Sequence, residues 1–292
     1  MNLVITESPR DAMQSLHDYI PAQIKADYIN RLLQVGFDCI DVGSFVSEKA
    51  IPQLKDTSEV LRLLDLSATR SKIMVLIANE KGIETAMNFE EISWLAFPFS
   101  ASPTFLKLNI NADVNQALNL TELARNRCES HNKSLKVYLT MAFGNPYKDR
   151  FDTDIVLEAV AKLSVMGIRY ITLSDIIGVA TPELIASTYK QLLADFPAVE
   201  FGLHLHTTHE TYYEKLDAAY TNGCRSFDTV LNGMGGCPMT GYELVSNLNT
   251  LDLMKYLNRN KIKTEIHNMM LGEALKMNNE LFNTNIKSPI LN

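Results

Sequence analysis

The chain alternates between two patterns of hydrophobic and polar positions. Short apolar runs rich in β-branched and aromatic residues are typical of buried strands, and longer segments with apolar residues about every 3.6 positions are typical of amphipathic helices. Eight runs have the strand pattern, and helical patterns lie between them. The predicted strands are Leu3–Thr6, Cys39–Gly43, Lys72–Ile77, Ile92–Phe97, Leu135–Thr140, Tyr170–Ser174, Glu200–His206 and Ser226–Leu231.

Four segments carry the helical pattern clearly. In Pro21–Val35, the residues Ile24, Tyr28 and Leu32 fall on one face, and Pro21 suits a first helical turn. The other three segments are Asp154–Met166, Pro182–Leu193 and Thr211–Ala219. The sequence therefore predicts successive strand-then-helix units.

Such units form a parallel sheet with right-handed crossovers, and eight of them favour closure into a barrel. The predicted fold class is α/β, a single (β/α)8 TIM barrel in one catalytic domain over residues 1–292. The barrel is expected to occupy about residues 1–250, and a C-terminal helical extension and tail residues 251–292. An open doubly wound sheet is the alternative, but no Gly-x-Gly-x-x-Gly follows the first strand. We expect Ser100–Leu118 to be a long loop after the fourth strand.

The net charge limits the partners expected for this protein, and the cysteine pattern limits the compartment. The net charge of −7 leaves no basic surplus for nucleic acid or an anionic membrane. No apolar run approaches the ~20 residues of a membrane span, and the N-terminus lacks a secretory signal pattern. The cysteines, Cys39, Cys128, Cys224 and Cys237, form no Cys-x-x-Cys pair. We therefore expect a cytoplasmic protein with free thiols that binds neither nucleic acid nor membrane.

Candidate metal ligands lie at predicted strand ends, where barrel enzymes place their active sites. His204 and His206 are separated by one residue, so on a strand their side chains point the same way. Asp11 follows the first strand and can complete a metal site, while Arg10 can bind an anionic oxygen. Mixed imidazole and carboxylate ligands without a cysteine cluster favour Mg or Mn over zinc. Taken singly, the histidine pair and the Arg10–Asp11 pair also suit a structural role.

Further polar residues lie at other strand ends. Asp41 belongs to the second predicted strand, and Asp175 follows the sixth. After the eighth strand, Gly233–Pro238 is a glycine-rich loop that contains the thiol of Cys237, and such a loop lets the backbone approach a ligand closely. The alternative is a tight turn with an incidental cysteine.

Several separated motifs, from about Glu7 to Asp252, resemble the 3-hydroxy-3-methylglutaryl-CoA lyase family of metal-dependent carbon–carbon lyases with a TIM-barrel fold. Ser8–Gln14 is similar to the family's Gly-Pro-Arg-Asp-Gly-Leu-Gln, and Ser44–Gln53 to Ser-Phe-Val-Ser-Pro-Lys-x-x-Pro-Gln. Leu173–Pro182 resembles Leu-Gly-Asp-Thr-x-Gly-x-x-Thr-Pro. His204-Leu205-His206 matches His-x-His, and Gly233–Pro238 matches Gly-x-Gly-Gly-Cys-Pro.

The resemblance implies a role for each matching residue. Metal ligands would be Asp11, His204, His206 and Asn247. Arg10 would bind the substrate carbonyl oxygen, Cys237 would be the acid/base thiol, and Asp41 or Asp175 would be the general base. Gln14 and Thr140 are the remaining predicted substrate-binding residues.

The implied reaction is cleavage of 3-hydroxy-3-methylglutaryl-CoA to acetyl-CoA and acetoacetate, as in leucine degradation, by a homodimer that binds an acyl-CoA thioester. The sequence departs from the family's motifs at Ala12, Asp41, Ile176 and Thr207. These departures keep two alternatives open. One is a related carboligase or aldolase acting on a different acyl-CoA or 2-oxo acid, and the other is a non-catalytic ligand-binding homologue.

Overall fold

The computed structural model describes residues 3–14, 16, 18–235 and 245–285, the last three of them by their backbone alone. Within these residues, eight strands form a closed parallel barrel in which each strand pairs with the next and β1 pairs with β8. The strands are β1 (Val4–Glu7), β2 (Cys39–Ser44), β3 (Lys72–Leu76), β4 (Ile92–Ser100), β5 (Ser134–Thr140), β6 (Tyr170–Asp175), β7 (Glu200–Leu205) and β8 (Ser226–Thr229). The predicted TIM barrel is confirmed.

Helices connect the strands and cover the barrel. They are α1 (Pro9–Gln14), α2 (Ala22–Leu33), α3 (Thr57–Arg62), α4 (Glu80–Met87), α5 (Pro103–Ile110), α6 (Val114–Ser130), α7 (Thr153–Val165), α8 (Pro182–Asp195), α9 (Tyr212–Thr221), α10 (Thr250–Arg259) and α11 (Asn268–Asn285). The last two form the predicted C-terminal extension. Asn278 on α11 donates a hydrogen bond to the buried Tyr28 hydroxyl on α2 at 2.8 Å, so α11 packs against the first large helix.

The loop predicted over Ser100–Leu118 is wrong, because α5 and the start of α6 occupy this segment. Local capping explains both helices. The Ser102 side chain accepts a hydrogen bond from the amide of Phe105 and so caps α5, and Asp113 forms a reciprocal capping box with Gln116 at the start of α6. Asn111, between the helices, has a left-handed backbone with φ of 52° that ends α5.

The two faces of each strand have different surroundings. On β3, Ile73 and Val75 pack into the large core shared with the helices, whereas Met74 packs in a separate cluster with Cys39 and Tyr138 from other strands. Because side chains alternate along a strand, this second cluster lies on the inner face of the barrel. The inner-facing side chains at the carboxyl ends of the strands therefore border the cavity.

Candidate active site

A cavity of about 420 Å³ opens at the carboxyl ends of the strands. Five residues of its lining, Arg10, Asp11, Tyr138, His204 and His206, bring charged, imidazole and phenolic groups together. They come from α1, β5, β7 and the residue that follows β7. The barrel thus brings together side chains that are far apart in the sequence, at the position expected for a TIM-barrel active site.

The guanidinium of Arg10 is held in place by an ion pair inside the protein. Its Nε and Nη2 donate to Oδ2 of Asp41 at 2.9 and 2.6 Å, and its Nη1 donates to Oε1 of Gln14 at 3.0 Å. Burial lowers the pKa of Arg10, but the charges of Asp41 and Asp11 outweigh it and raise the pKa. Arg10 therefore presents a fixed positive charge at the cavity.

Asp41 is fully buried behind Arg10. Burial raises the pKa of Asp41, against the opposite effect of the Arg10 charge. Both strong hydrogen bonds from Arg10 go to Oδ2, so Oδ1 has no hydrogen-bond partner among the described residues. One oxygen of this carboxyl group thus accepts no hydrogen bond from the described residues.

His204 lies between two carboxylates. Its Nε2 is 3.7 Å from Oδ2 of Asp11, and its Nδ1 is 3.6 Å from Oδ2 of Asp228 on β8. Burial lowers the pKa of His204, but Asp228 and Asp11 raise it overall. A carboxylate behind a histidine fixes the orientation of the ring and increases its strength as a metal ligand.

The buried pair of Asp228 and Lys136 continues this chain of charges into the barrel. Nζ of Lys136 on β5 is 3.5 Å from Oδ1 of Asp228. Burial raises the pKa of Asp228, but Lys136 and His204 lower it well below its usual range. Asp228 is therefore an anion that supports His204. Neither residue was predicted from the sequence, although a lysine two positions before Tyr138 on a predicted strand indicates an inward-facing charge.

His206 follows β7 directly, and its ring is neutral. Burial and the neighbouring His204 lower the pKa of His206 to about 4. Its Nδ1 lies 2.7 Å from the carbonyl oxygen of Val245, so Nδ1 carries the proton and Nε2 keeps its lone pair. Neutral imidazole is the form that binds metal.

Asn247 lies beside His206 through a backbone bridge. Its Nδ2 donates to the carbonyl oxygen of Met234 at 2.8 Å, while its buried Oδ1 has no hydrogen-bond partner among the described residues. A buried amide oxygen without a partner is costly unless a cation or another donor approaches it.

The donor set around the cavity fits a hard divalent cation in type. It combines the carboxylate of Asp11, the imidazoles of His204 and His206, and the amide oxygen of Asn247. Across the described parts of the chain, no three His, Cys, Asp or Glu side chains are close enough to hold an ion by themselves. In this structure Oδ1 of Asp11 accepts hydrogen bonds from Arg10 and Gln14 instead.

Asp175 and Thr140 are engaged with the protein itself. The carboxylate of Asp175 accepts hydrogen bonds from the amides of Val179 at 3.0 Å and Ala180 at 2.8 Å, so it holds the turn after β6. The Thr140 hydroxyl lines the cavity but donates to the carbonyl oxygen of Phe99 at 2.9 Å. Their catalytic and substrate-binding roles stay predictions.

Cys237 lies outside the described residues, but the loop that leads to it begins against the predicted metal ligands. A Cβ atom at Gly235 would lie 2.5 Å from the backbone oxygen of Asp11, and the φ of Gly235 is +86°. A Cβ atom at Gly233 would lie 2.9 Å from the backbone oxygen of Asn247. Only glycine allows the backbone to lie this close at a positive φ.

Glu7, which was not predicted as a site residue, accepts hydrogen bonds from residues that precede this loop and from one that follows it. Its carboxylate accepts hydrogen bonds from the amide of Leu231 at 2.7 Å, from the Thr229 hydroxyl at 3.0 Å and from the Thr250 hydroxyl at 2.6 Å. Burial nevertheless raises the pKa of Glu7 to about 7, since the three hydrogen bonds lower it only in part.

Glu7 is expected to make the stability of the protein depend on pH. Its pKa is about 7 in the folded chain, above the ordinary value of 4.5 for a solvated glutamate, so the folded chain binds the proton more tightly. The free energy of unfolding should therefore fall as the pH rises from about 4.5 to about 7, by about 3 kcal/mol from this group alone. Urea unfolding of wild type and Glu7→Gln across this range should show a flatter pH dependence in the variant. Parallel curves would contradict the assignment, and the exposed Glu90→Gln serves as control.

A closed parallel barrel whose cavity, at the carboxyl ends of the strands, gathers Arg10, Asp11, His204 and His206 is the architecture of a TIM-barrel enzyme. Residues 3–277 match the HMGL-like family model, and the chain belongs to that family.

Several relatives carry names that agree with this family. Hydroxymethylglutaryl-CoA lyase YngG of Bacillus subtilis is 32% identical over 272 residues, which cover 92% of this chain and 89% of that protein. The solved structure of the Bacillus subtilis HMG-CoA lyase superposes with a TM-score of 0.90 at 30% identity, covering 99% of this chain and 96% of that one. An HMG-CoA lyase from Acinetobacter baumannii, in complex with coenzyme A and 3-methylmalate, gives 0.89 at 30% identity, with coverage of 97% and 92%. The predicted class, a carbon–carbon lyase, is confirmed.

Among the helices of the described residues, none combines the length and the apolar character needed to cross a bilayer. The human relatives include one lyase named as cytoplasmic and one named as mitochondrial.

Proposed function

We propose that this chain catalyses the divalent-metal-dependent cleavage of 3-hydroxy-3-methylglutaryl-CoA to acetyl-CoA and acetoacetate. The observation that supports this most is the convergence of Arg10, Asp11, His204 and His206 on one cavity. Relatives of about 30% identity over most of the chain are lyases of this substrate, and one of their structures contains coenzyme A.

Asp11, His204, His206 and Asn247 are the proposed metal ligands. A divalent cation, Mg or Mn, would supply Lewis-acid polarisation of substrate oxygens at this position. Two observations support the assignment: Oδ1 of Asn247 has no hydrogen-bond partner in the described part of the chain, and the ring of His206 is neutral.

The proposed reaction breaks the bond between C2 and C3 of the substrate. A base takes the proton of the C3 hydroxyl, the C3 oxygen becomes the ketone of acetoacetate, and the electron pair of the broken bond passes to the thioester as an enolate. Arg10, held by Asp41, stabilises the developing negative charge on oxygen. Cys237 gives its proton to the enolate carbon and so releases acetyl-CoA.

Between the two candidate bases, the hydrogen bonds favour Asp41. Its Oδ1 accepts no hydrogen bond from the described residues, and burial raises the pKa of the carboxyl group. Both oxygens of Asp175 already accept backbone hydrogen bonds. We therefore propose Asp41 as the proton acceptor and Asp175 as the residue that holds the turn after β6.

The wider setting is also a proposal. We propose a role in leucine degradation, a cytoplasmic location and a homodimer, with an acyl-CoA thioester as the substrate and neither nucleic acid nor membrane as a partner. The acidic net charge of −7 supports the absence of nucleic-acid binding.

An assay of acetoacetate release tests the substrate. The purified chain with Mg²⁺ should release acetoacetate from 3-hydroxy-3-methylglutaryl-CoA and should prefer it, by kcat/KM, to a panel of other acyl-CoA thioesters and 2-oxo acids. A higher kcat/KM for another member of the panel would replace the proposed substrate. No turnover of any member would favour a ligand-binding protein.

A further inference from the structure

Ser174, the next-to-last residue of β6, places a hydroxyl in the cavity that no step above uses. The residue is 1% exposed and lines the cavity. Its Oγ is buried and has no hydrogen-bond partner among the described residues. An unsatisfied buried hydroxyl destabilises a fold, so its presence requires an explanation.

The strand register places Ser174 between two residues of the candidate site. It pairs with Thr140 on β5 and with His204 on β7. Thr140 already donates its proton to the carbonyl oxygen of Phe99. Of this neighbouring pair of hydroxyls, Ser174 is therefore the one with a proton to donate to a ligand.

The alternation along β6 supports the same orientation. Ser174 and Ile176 both line the cavity, whereas Asp175 between them turns to the amides of the following turn. In the family's motif, glycine stands at the position of Ser174 and threonine at that of Ile176. Since residues i and i+2 share a face, this chain has a hydroxyl two positions earlier on the same face of the strand.

We propose that Ser174 is a substrate-binding residue whose Oγ donates a hydrogen bond to an oxygen of the hydroxy-acyl ligand bound beside His204. The proposal deepens the proposed function and rests on it. Ser174, rather than Thr140, thus binds the ligand oxygen. The Thr140 hydroxyl instead holds the end of β5 to β4 through its hydrogen bond to the carbonyl oxygen of Phe99. The described residues offer the Ser174 hydroxyl no acceptor, and a bound ligand would supply one.

A pair of serine-to-alanine variants tests the proposal. Ser174→Ala should lower kcat/KM for 3-hydroxy-3-methylglutaryl-CoA about 10-fold, while the Tm of the free enzyme stays unchanged or rises by a few degrees, because an unsatisfied hydroxyl is removed. Ser100→Ala is the matched control, since the Ser100 hydroxyl is buried but donates to the carbonyl oxygen of Thr140 at 3.1 Å. The control should lower the Tm and leave kcat/KM within about 2-fold of wild type.

The outcomes separate this proposal from the proposed function. A change below about 2-fold in kcat/KM for Ser174→Ala, or a fall in Tm that matches the control, would overturn the role of Ser174. If wild type does not cleave the thioester, calorimetric titration with 3-methylmalate in the presence of coenzyme A and Mg²⁺ decides instead. If Ser174→Ala binds 3-methylmalate about 10-fold more weakly than wild type and Ser100→Ala does not, the role of Ser174 stands even though the reaction does not. Equal binding by wild type and Ser174→Ala, or no binding to wild type, would overturn it.

Discussion

Arg10→Met is expected to lower kcat by about 10²–10³-fold, because the variant lacks the donor that stabilises the oxyanion. The same change removes the counter-charge of the fully buried Asp41. Removing one partner of a buried ion pair costs about 3–5 kcal/mol of stability. Steady-state kinetics and urea unfolding of the same preparation should show both losses.

The double variant Arg10→Met/Asp41→Asn isolates the effect on stability. It leaves no buried charge at position 41, so it should regain most of the lost free energy of unfolding. Its kcat should stay low, because it lacks both the oxyanion donor and the proposed base. A kcat within about 3-fold of wild type in Arg10→Met would contradict the role of Arg10 as an oxyanion donor.

Cys237→Ala is expected to lower kcat by about 10²–10⁴-fold, since the enolate carbon loses its proton donor. The stability of the folded chain should change little. Kinetics with 3-hydroxy-3-methylglutaryl-CoA, together with a thermal melt, check both expectations.

Cys224→Ala is the control for this thiol. Burial raises the pKa of Cys39, Cys128 and Cys224 to about 12, so these cysteines stay protonated and unreactive. Cys224→Ala should therefore keep the kcat of wild type and lose only some packing energy. Full activity in Cys237→Ala would remove the thiol from the mechanism.

The barrel was predictable because its strands are buried on both faces and appear in the sequence as short apolar runs. The His204–His206 pair was predictable for a related reason, since alternation along a strand brings both rings to one cavity. The strand boundaries were less predictable. β7 ends at Leu205, so His206 lies just past the strand and pairs with Asn247 instead.

The missed features depend on local or long-range contacts that an apolar pattern does not contain. The segment after β4 was assigned to a loop because its apolar content is mixed, while the caps at Ser102 and Asp113 decide its helices. Asp228 and Glu7 lie within short strands, and their partners are brought to them by barrel closure. Whether the hydroxyls of Thr140 and Ser174 reach an acceptor likewise depends on the neighbouring strands that the barrel brings together.

The most direct test is to remove the metal from the enzyme with a chelator and then to add a divalent cation back. Enzyme treated with a chelator should release no acetoacetate from 3-hydroxy-3-methylglutaryl-CoA, and Mg²⁺ or Mn²⁺ should restore release in wild type. His206→Ala should bind Mn²⁺ more weakly by calorimetry and should need a higher concentration for the same activity. Undiminished acetoacetate release after exhaustive chelation, or equal Mn²⁺ binding by His206→Ala and wild type, would contradict a metal-dependent lyase at this site.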